Sequence, residues 1–299
     1  MRVLLASGPV ESPQVIDDWH FSWEGRGYRG SFALVKLPDG RDGLINALPL
    51  DAYLYGVLAK EVSPSWPAAA QQAQAIVSRT YALGKLRPGN AYDVVASESD
   101  QHYAGIAGES VQGRAAIDAT GGVVLTFDGF PAHVAYSSCC GGKTAAAGDV
   151  WNTPYPYLPS VADPNCAGSP AYDWQSIVPR QTIEDAFPAC GDIGALRSVD
   201  LAVAAAGDRP TGISLVGSVS TFATTPKAFR ESIGASVIRS TFVRTATLED
   251  GGASVALTGT GRGHGVGMCQ WGARAMGEAG SSARDILAFY LPGTEFGRA

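Results

Sequence analysis

The stretch Ser65-Trp66-Pro67-Ala68-Ala69-Ala70-Gln71-Gln72-Ala73-Gln74-Ala75-Ile76-Val77-Ser78-Arg79-Thr80-Tyr81-Ala82-Leu83-Gly84 carries the strongest helical pattern in the chain. Ser65 suits a helix N-cap, Pro67 suits the first turn, and Pro88-Gly89 ends the pattern. Steps of three and four residues separate the members of one stripe, which are Ala73, Ile76, Val77, Thr80, Tyr81 and Gly84. The sequence therefore predicts a helix that is buried along one side.

Outward from this helix, 37 glycines and 18 prolines divide the chain into short elements. Residues 1–50 alternate apolar stretches with turn signals such as Pro38-Asp39-Gly40, a pattern typical of an antiparallel meander. Asp128-Gly129 indicates a hairpin turn after a strand at 123–127. The remaining predicted elements are helices at 111–120, 181–187, 226–234, from 273 onward and 282–290, and strands at 198–205, 212–217 and 253–258.

These elements predict an α+β fold, built as a single compact unit of mixed and antiparallel sheets with several helices and a substrate groove. We expect its segments to be intertwined, since no internal repeat or low-complexity linker separates them. The predicted organisation is an N-terminal β meander over residues 1–43, packed on the core, followed by a larger domain over residues 44–299.

The composition excludes several classes of protein. With 45% hydrophobic and 17% charged residues, the chain is neither disordered nor fibrous. A net charge of −6, without a run of Lys or Arg, argues against a nucleic-acid partner. The sequence has no stretch of the roughly 18 apolar residues that a membrane span needs, and residues 1–6 are too few for the apolar region of a signal peptide.

Glu61 is the candidate acid/base residue. It lies in the polar and apolar stretch 58–67, and we expect it in a strand or loop just ahead of a helix N-terminus, close to Trp66. An apolar neighbourhood raises the pKa of a carboxyl group, as a general acid requires, whereas a helix N-terminus lowers it. The alternative is a surface ion pair between Glu61 and Lys60.

Three further stretches, 99–105, 133–144 and 259–273, mix glycines with polar groups, and the first offers hydrogen-bond donors and an aromatic edge that suit a sugar. The glycines let backbone amides approach a ligand closely, and loops of this kind often carry binding residues. These stretches contain Gln101, Tyr103, Ser137, Ser138, His264 and Gln270.

The five cysteines leave several alternatives open. Cys166 and Cys190 lie in Pro/Gly-rich, surface-type sequence, which suits either a disulfide in an oxidising compartment or two unrelated buried thiols. His133, Cys139 and Cys140 are the candidates for a zinc site, but adjacent cysteines lack the usual spacer, so we predict no metal and no cofactor. Cys269 with His264 is a further alternative, as a thiol dyad of a hydrolase.

Taken in order, these stretches resemble the SpoIID/LytB family from about residue 44 to the C-terminus. The landmarks are Tyr53-Leu54-Tyr55-Gly56-Val57-Leu58-Ala59-Lys60-Glu61, Trp66-Pro67, residues 72–82, Gln101-His102-Tyr103-Ala104-Gly105, Tyr136-Ser137-Ser138-Cys139-Cys140-Gly141-Gly142-Lys143-Thr144, Phe229-Arg230 with Arg239-Ser240-Thr241-Phe242, and Gly263-His264-Gly265-Val266-Gly267-Met268-Cys269-Gln270-Trp271-Gly272-Ala273. The chain departs from the family at Val62-Ser63, where Met-Pro is usual, and at Cys140 and Cys269, where serine is common. The extra thiols suggest a local disulfide or metal.

The resemblance implies that residues 44–299 form a SpoIID-like catalytic domain, a peptidoglycan lytic transglycosylase related to a sporulation protein. Such a lyase cuts the bond between N-acetylmuramic acid and N-acetylglucosamine and leaves a 1,6-anhydro product, with its catalytic glutamate at Glu61. One glutamate suffices if the sugar's own C6 hydroxyl attacks, whereas a hydrolase normally needs two carboxylates. The alternative is a non-catalytic enhancer that binds peptidoglycan and stimulates a cell-wall amidase. The resemblance also implies that the substrate-binding residues are Gln101, Tyr103, Ser137, Ser138, His264 and Gln270. Both the enzyme and the enhancer would have glycan strands as a partner and a secreted or envelope location.

Overall fold

The computed structural model describes the backbone of residues 1–299 and the side chains of residues 1–188 and 192–299. Within this described chain, every helix is too short or too polar to cross a membrane. The α-helices are Leu50–Glu61 (α1), Ala68–Gly84 (α2), Val111–Ala119 (α3), Ala147–Trp151 (α4), Arg180–Ala186 (α5), Pro226–Ile233 (α6), Gln270–Glu278 (α7) and Ala283–Tyr290 (α8).

Several short sheets accompany the helices, so the predicted α+β class with mixed and antiparallel sheets is confirmed. The strands are Arg2–Ser7 (β1), Gln14–Val15 (β2), His20–Trp23 (β3), Arg26–Arg29 (β4), Ser31–Lys36 (β5), Asp42–Ala47 (β6), Val94–Val95 (β7), Val123–Phe127 (β8), Phe130–Pro131 (β9), Tyr136–Ser137 (β10), Asp173–Pro179 (β11), Leu196–Ala202 (β12), Gly212–Gly217 (β13), Thr221–Thr224 (β14), Val243–Glu249 (β15), Ser254–Thr260 (β16), Met268–Cys269 (β17) and Glu295–Arg298 (β18).

The residues group into two compact units, each assembled from segments that are distant in sequence. The first unit comprises residues 1–134, 277–288 and 293–299, and the second comprises residues 135–276 and 289–292. The predicted boundary between residues 43 and 44 falls inside the first unit and stays a prediction.

The first unit combines the N-terminal strands with α1, α2 and α3. Its largest sheet has the order β5-β6-β1-β7, with β1 antiparallel to β6 and parallel to β7, and β2, β3 and β4 form a separate antiparallel sheet. Phe21 and Tyr28 of the N-terminal strands share one buried cluster with Tyr53 and Leu54 of α1. The predicted meander is therefore largely antiparallel, and it is joined to the helices by a common hydrophobic core.

The second unit contains two three-stranded antiparallel sheets, β11-β16-β15 and β12-β13-β14. Their apolar faces and the adjacent helices form a second buried cluster, in which Trp174, Ile183, Phe229 and Leu257 are at most 5% exposed. A separate parallel pair, β10 and β17, brings residues 136–137 beside residues 268–269. That pairing joins two of the polar and glycine-rich stretches singled out in the sequence.

Arg79 of α2 is the buried polar hub of the first unit, with a side chain that is 1% exposed. Its Nε donates to Oδ1 of Asp51 in α1 at 2.8 Å. Its two terminal nitrogens donate to the Ile117 carbonyl in α3 at 3.2 Å, to the Val123 carbonyl at the start of β8 at 3.1 Å and to Thr120 Oγ1. A guanidinium can serve this many acceptors at once because its donors are fixed in one plane.

Arg79→Ala should destabilise the protein by about 3 kcal/mol or more, because the buried acceptors and the Asp51 carboxylate lose their common donor. The matched control is Arg41→Ala, which removes an arginine whose ion pair with Asp39 is exposed to solvent, and which should leave stability unchanged. Chemical denaturation of both variants measures the difference. Equal midpoints for the two variants would show that the hub carries little of the stability.

Most predicted helices and strands are confirmed to within a few residues, including α2, α3, α6, α8, β8 and the Asp128-Gly129 turn, where both residues have positive φ. Two predictions for the segment between α1 and α2 are wrong. Glu61 ends helix α1 instead of lying in a strand or loop, and the N-cap of α2 is Pro67, not Ser65. Helix α1 gave no amphipathic signal because its apolar residues lie on several sides of the helix. Helix α2, which was predicted to be buried along one side, is buried around its whole circumference between Ala73 and Thr80.

Candidate active site

Glu61 is the last residue of α1 and is half-buried. The helix ends there because Val62 adopts an extended conformation. Oε1 of Glu61 accepts a hydrogen bond from the backbone N–H of His102 at 3.1 Å. The carboxylate is thereby held between the end of a helix and the loop at residues 100–104.

Two opposing effects act on the charge of Glu61. The C-terminal end of a helix carries partial negative charge, which disfavours a carboxylate at that position. The hydrogen bond from His102 favours the carboxylate, because the anion accepts more strongly than the neutral acid.

The loop between α1 and α2 is fixed by Gln71 of α2. Its amide donates to the carbonyl of Pro64 at 3.1 Å and to the carbonyl of Trp66 at 2.8 Å. The Trp66 ring packs, half-buried, against the hydrophobic cluster of the first unit. The segment that follows Glu61 is therefore held in place by side-chain hydrogen bonds and packing.

Gln101 is fully buried and spans the interior beneath the loop. Its Oε1 accepts from the Tyr53 hydroxyl at 3.2 Å, and its Nε2 donates to the Ser78 carbonyl at 3.4 Å. Burial, assisted by the negative charges of Asp100 and Glu61, raises the pKa of Tyr53, so this hydroxyl stays protonated. Gln101 therefore anchors the loop through its side chain.

Tyr103 is also buried, at 5% exposure. Its hydroxyl donates to Oδ1 of Asn46 at 2.7 Å, and its ring lies 5.2 Å from that of Tyr53. Between the anchored residues 101 and 103, His102 is exposed and presents its N–H to Glu61. The motif at residues 101–105 directed attention to this loop. The sequence did not reveal that the backbone of residue 102, and not a side chain, contacts Glu61.

Gly56 lets Tyr103 pack onto α1. A Cβ at this position would lie 2.6 Å from the Tyr103 ring and 2.9 Å from the Gly105 carbonyl. Contacts this short force the aromatic ring or the loop backbone to move. The glycine thus sets the distance between α1 and the loop that contacts Glu61.

Gly56→Ala should lower the free energy of unfolding by about 1–2 kcal/mol, since overpacking outweighs the gain in helix propensity. Gly84→Ala is the matched control in α2, because a Cβ there meets nothing within 4 Å. That control should be neutral or slightly stabilising. Urea denaturation of the two variants provides the test, and a Gly56→Ala variant as stable as the control would contradict the proposed close contact.

In the second unit, the pairing of β10 with β17 places Ser137 opposite Cys269. Ser137 is 6% exposed, and its hydroxyl is buried without a partner among the described residues. The carbonyl of Ser138 accepts the N–H of Trp271 at 3.1 Å, close to Gln270, the buried first residue of α7. The structure therefore brings three of the predicted substrate-binding residues together.

His264 lies in the glycine-rich stretch, where Gly261, Gly263, Gly265 and Gly267 have φ values between 73° and 102°. Its Nδ1 accepts the N–H of Val266 at 3.0 Å, and its ring also hydrogen-bonds the backbone of Tyr136. Burial, followed by the charges of Arg230 and Arg209, lowers the pKa of His264 to about 4. The imidazole is therefore neutral at neutral pH and shapes the loop through both ring nitrogens.

The predicted residues thus fall into two sets. Glu61, Gln101 and Tyr103 lie together in the first unit, and Ser137, Ser138, His264 and Gln270 lie in the second. The groove that was predicted to unite them stays a prediction.

The cysteines differ from the sequence expectations. Cys166 is buried instead of lying in a surface loop, and it is a free thiol. The side chain of Cys190 lies outside the described residues, but the free thiol of Cys166 contradicts a Cys166–Cys190 disulfide. The Cys269 sulfur is fully buried and accepts the N–H groups of Cys140 and Gly272, which argues against a nucleophile that attacks a substrate.

The candidate metal ligands are also different. His133 is exposed in the first unit, whereas Cys140 lies in the second unit among Cys166, Cys269 and Asp163. Cys139 lies at the edge of this group, with its thiol 3.9 Å from the Cys166 carbonyl. The sequence could not identify Asp163 as a candidate metal ligand, because the residues around it indicate only an ordinary turn.

Comparison with known proteins adds independent information. A family model described as Stage II sporulation protein matches residues 39–127, the segment that contains Glu61, Gln101 and Tyr103. A protein of Brachyspira hyodysenteriae (strain ATCC 49526 / WA1) is 29% identical over 278 residues, covering 92% of this chain and 73% of that protein.

Two relatives come from Bacillus subtilis (strain 168). The amidase enhancer is 28% identical over 290 residues, covering 81% of this chain but 40% of that longer protein. Stage II sporulation protein D is 26% identical over 274 residues, covering 85% of this chain and 76% of that protein.

Proposed function

Because the chain belongs to the SpoIID/LytB family, we propose that it acts on the bacterial cell wall as a peptidoglycan lytic transglycosylase. The observation that carries the proposal is the position of Glu61, a half-buried carboxylate held by the His102 N–H at the end of α1. Since the proposed substrate lies outside the cytoplasmic membrane, the proposal includes a location in the envelope or outside the cell.

The surroundings of Asp100 support a mechanism with one carboxylate. Asp100 lies in the loop beside Glu61, but Tyr81 and Lys85 contact its Oδ1, each at 3.1 Å. Its Oδ2 accepts the N–H of Val95 at 2.9 Å. A carboxylate held at both oxygens by protein groups is poorly suited to activating water, the second task of an inverting hydrolase.

The proposed reaction needs no water. Protonated Glu61 donates its proton to the glycosidic oxygen as the bond between the sugars breaks. The C6 hydroxyl of the muramic acid residue attacks its own C1, and Glu61, now a carboxylate, takes the proton of that hydroxyl. The products are a 1,6-anhydro end and a free 4-hydroxyl, and Glu61 returns to its protonated state.

Ser137, Ser138, His264 and Gln270 remain proposed substrate-binding residues. The unpartnered hydroxyl of Ser137 suits an uncharged, hydroxyl-rich ligand, and His264 is proposed to shape the loop around it. The buried side chains of Gln101 and Tyr103 are proposed to act as positioning residues, because they anchor the loop that contacts Glu61.

Glu61→Gln should reduce glycan cleavage by about 100-fold to 10,000-fold, since the amide keeps the shape of the carboxyl group but cannot transfer a proton. The matched control is Glu231→Gln, which alters an exposed glutamate paired with Lys227 on α6. The assay is release of anhydro-muramyl products from glycan strands stripped of their peptides, followed by mass spectrometry. Both variants should unfold at the wild-type temperature.

Turnover by Glu61→Gln within a few-fold of the control would contradict the assignment of Glu61. The similarity to the amidase enhancer favours the second candidate function, in which the protein stimulates a cell-wall amidase. An enhancer would leave glycan strands intact by itself, and Glu61→Gln would stimulate the amidase as strongly as the wild type does.

A further inference from the structure

Four buried side chains converge in the second unit from three distant segments of the chain. Their ligand atoms, the sulfurs of Cys140, Cys166 and Cys269 and a carboxylate oxygen of Asp163, all lie within 4.8 Å of one another. We propose that these four residues bind one Zn²⁺ ion in a closed, structural site. This inference goes beyond the proposed glycan cleavage and does not depend on it.

The distances fit a single tetrahedral ion. Zinc–sulfur bonds of about 2.3 Å place two sulfurs of a tetrahedron about 3.8 Å apart. The Cys140 and Cys166 sulfurs are 3.5 Å apart, and the Cys140 sulfur is 3.1 Å from Oδ2 of Asp163. In an iron–sulfur cluster, cysteine sulfurs bound to different irons lie farther apart than the four ligand atoms here, because several metal ions lie between them.

The backbone around the group is arranged to stabilise thiolates. The Cys269 sulfur accepts the N–H groups of Cys140 at 3.2 Å and Gly272 at 3.4 Å. The Cys166 sulfur accepts the N–H of Gly142 at 3.3 Å. Three N–H donors directed at two sulfurs match the hydrogen bonds that orient metal ligands and increase their negative charge.

Asp163 is oriented in the same manner. Oδ1 accepts the N–H and the side-chain amide of Asn165, each at 3.0 Å, and Oδ2 accepts the Tyr290 hydroxyl at 2.8 Å. Gly272 permits this approach, because a Cβ there would collide with the Tyr290 hydroxyl and with Asp163. These described partners of a fully buried carboxylate are all uncharged, so a bound cation would supply the missing positive charge.

A nearby arginine offsets the charge that the site would carry with Zn²⁺ bound. Three thiols release three protons when they bind Zn²⁺, so the site with its carboxylate carries a net charge of −2. The half-buried guanidinium of Arg209 donates to the carbonyls of Cys140 and Lys143, which places a positive charge beside the group. Thiolate ligands favour Zn²⁺ over Mg²⁺ or Ca²⁺, which bind oxygen atoms.

The proposed ion would join two segments that carry predicted site residues to a third segment. Cys140 follows Ser137 and Ser138, Cys269 precedes Gln270, and Cys166 lies in the 3₁₀ turn Pro164–Gly168. With four protein ligands the ion has no open position for a substrate, so its role is to hold the loops in place.

The test is the zinc content of the full chain, purified without chelators and measured by plasma mass spectrometry. The wild type should hold about one Zn²⁺ per chain. Cys166→Ser and Cys269→Ser should lose it, whereas Cys139→Ser should retain it, because the Cys139 thiol contacts the Cys166 and Cys269 sulfurs without belonging to the four mutually close ligand atoms. Loss of zinc by Cys139→Ser would overturn the proposed set of four ligands. Removing zinc should lower the Tm of the wild type and of Cys139→Ser by about 10 °C.

A second measurement covers ligand variants that fail to fold. Zinc-depleted, reduced wild-type protein is loaded with Co²⁺, which should give the intense visible absorption of a tetrahedral cobalt–thiolate site. Zinc retention by Cys166→Ser or Cys269→Ser equal to that of Cys139→Ser would overturn the proposal. It would also be overturned if the reduced wild type bound neither ion, or if its native mass showed a Cys140–Cys166 disulfide that excluded zinc.

Discussion

The buried guanidinium of Arg79 is the constraint on which the first unit depends. It reaches from α2 to α1 through Asp51, to α3 through Ile117 and to the start of β8 through Val123. The guanidinium must donate to all of these acceptors at once, and its donors lie in one plane. Helices α1, α2 and α3 and strand β8 are therefore held in a single arrangement. The C-terminal end of α1, and therefore Glu61, is positioned by this arrangement and by the packing of Tyr103 against Gly56.

Elements with a clear helical period or a turn signal were predictable from the sequence, and helix α1, whose apolar residues lie on several sides, was not. Helices α2, α6 and α8 have apolar stripes, and the Asp128-Gly129 turn requires positive φ, so local chemistry is sufficient to identify them. Helix α1 is buried on several sides and begins after Pro49 without a side-chain cap, so neither periodicity nor capping identifies it. The prediction that Glu61 lies in a strand or loop failed for that reason.

The candidate site shows a similar division. The family motifs identified Glu61 and the loop at residues 101–105 as candidates. The sequence could not show which side chains of that loop face solvent, because this depends on the fold. Gln101 and Tyr103 point into the interior, and the backbone of His102 makes the contact with Glu61. The grouping of Cys140, Cys166, Cys269 and Asp163 depends on the parallel pairing of β10 with β17, which no local sequence pattern specifies.

The central claim is that the substrate's own hydroxyl, and not water, attacks the sugar with Glu61 as the single acid and base. Digestion of peptide-free glycan strands in water enriched in oxygen-18 tests it directly, with the products analysed by mass spectrometry. Attack by the C6 hydroxyl gives 1,6-anhydro-muramyl ends that contain no heavy oxygen, which is the expected result. Reducing muramyl ends that each carry one oxygen-18 atom would show that water attacks the sugar instead.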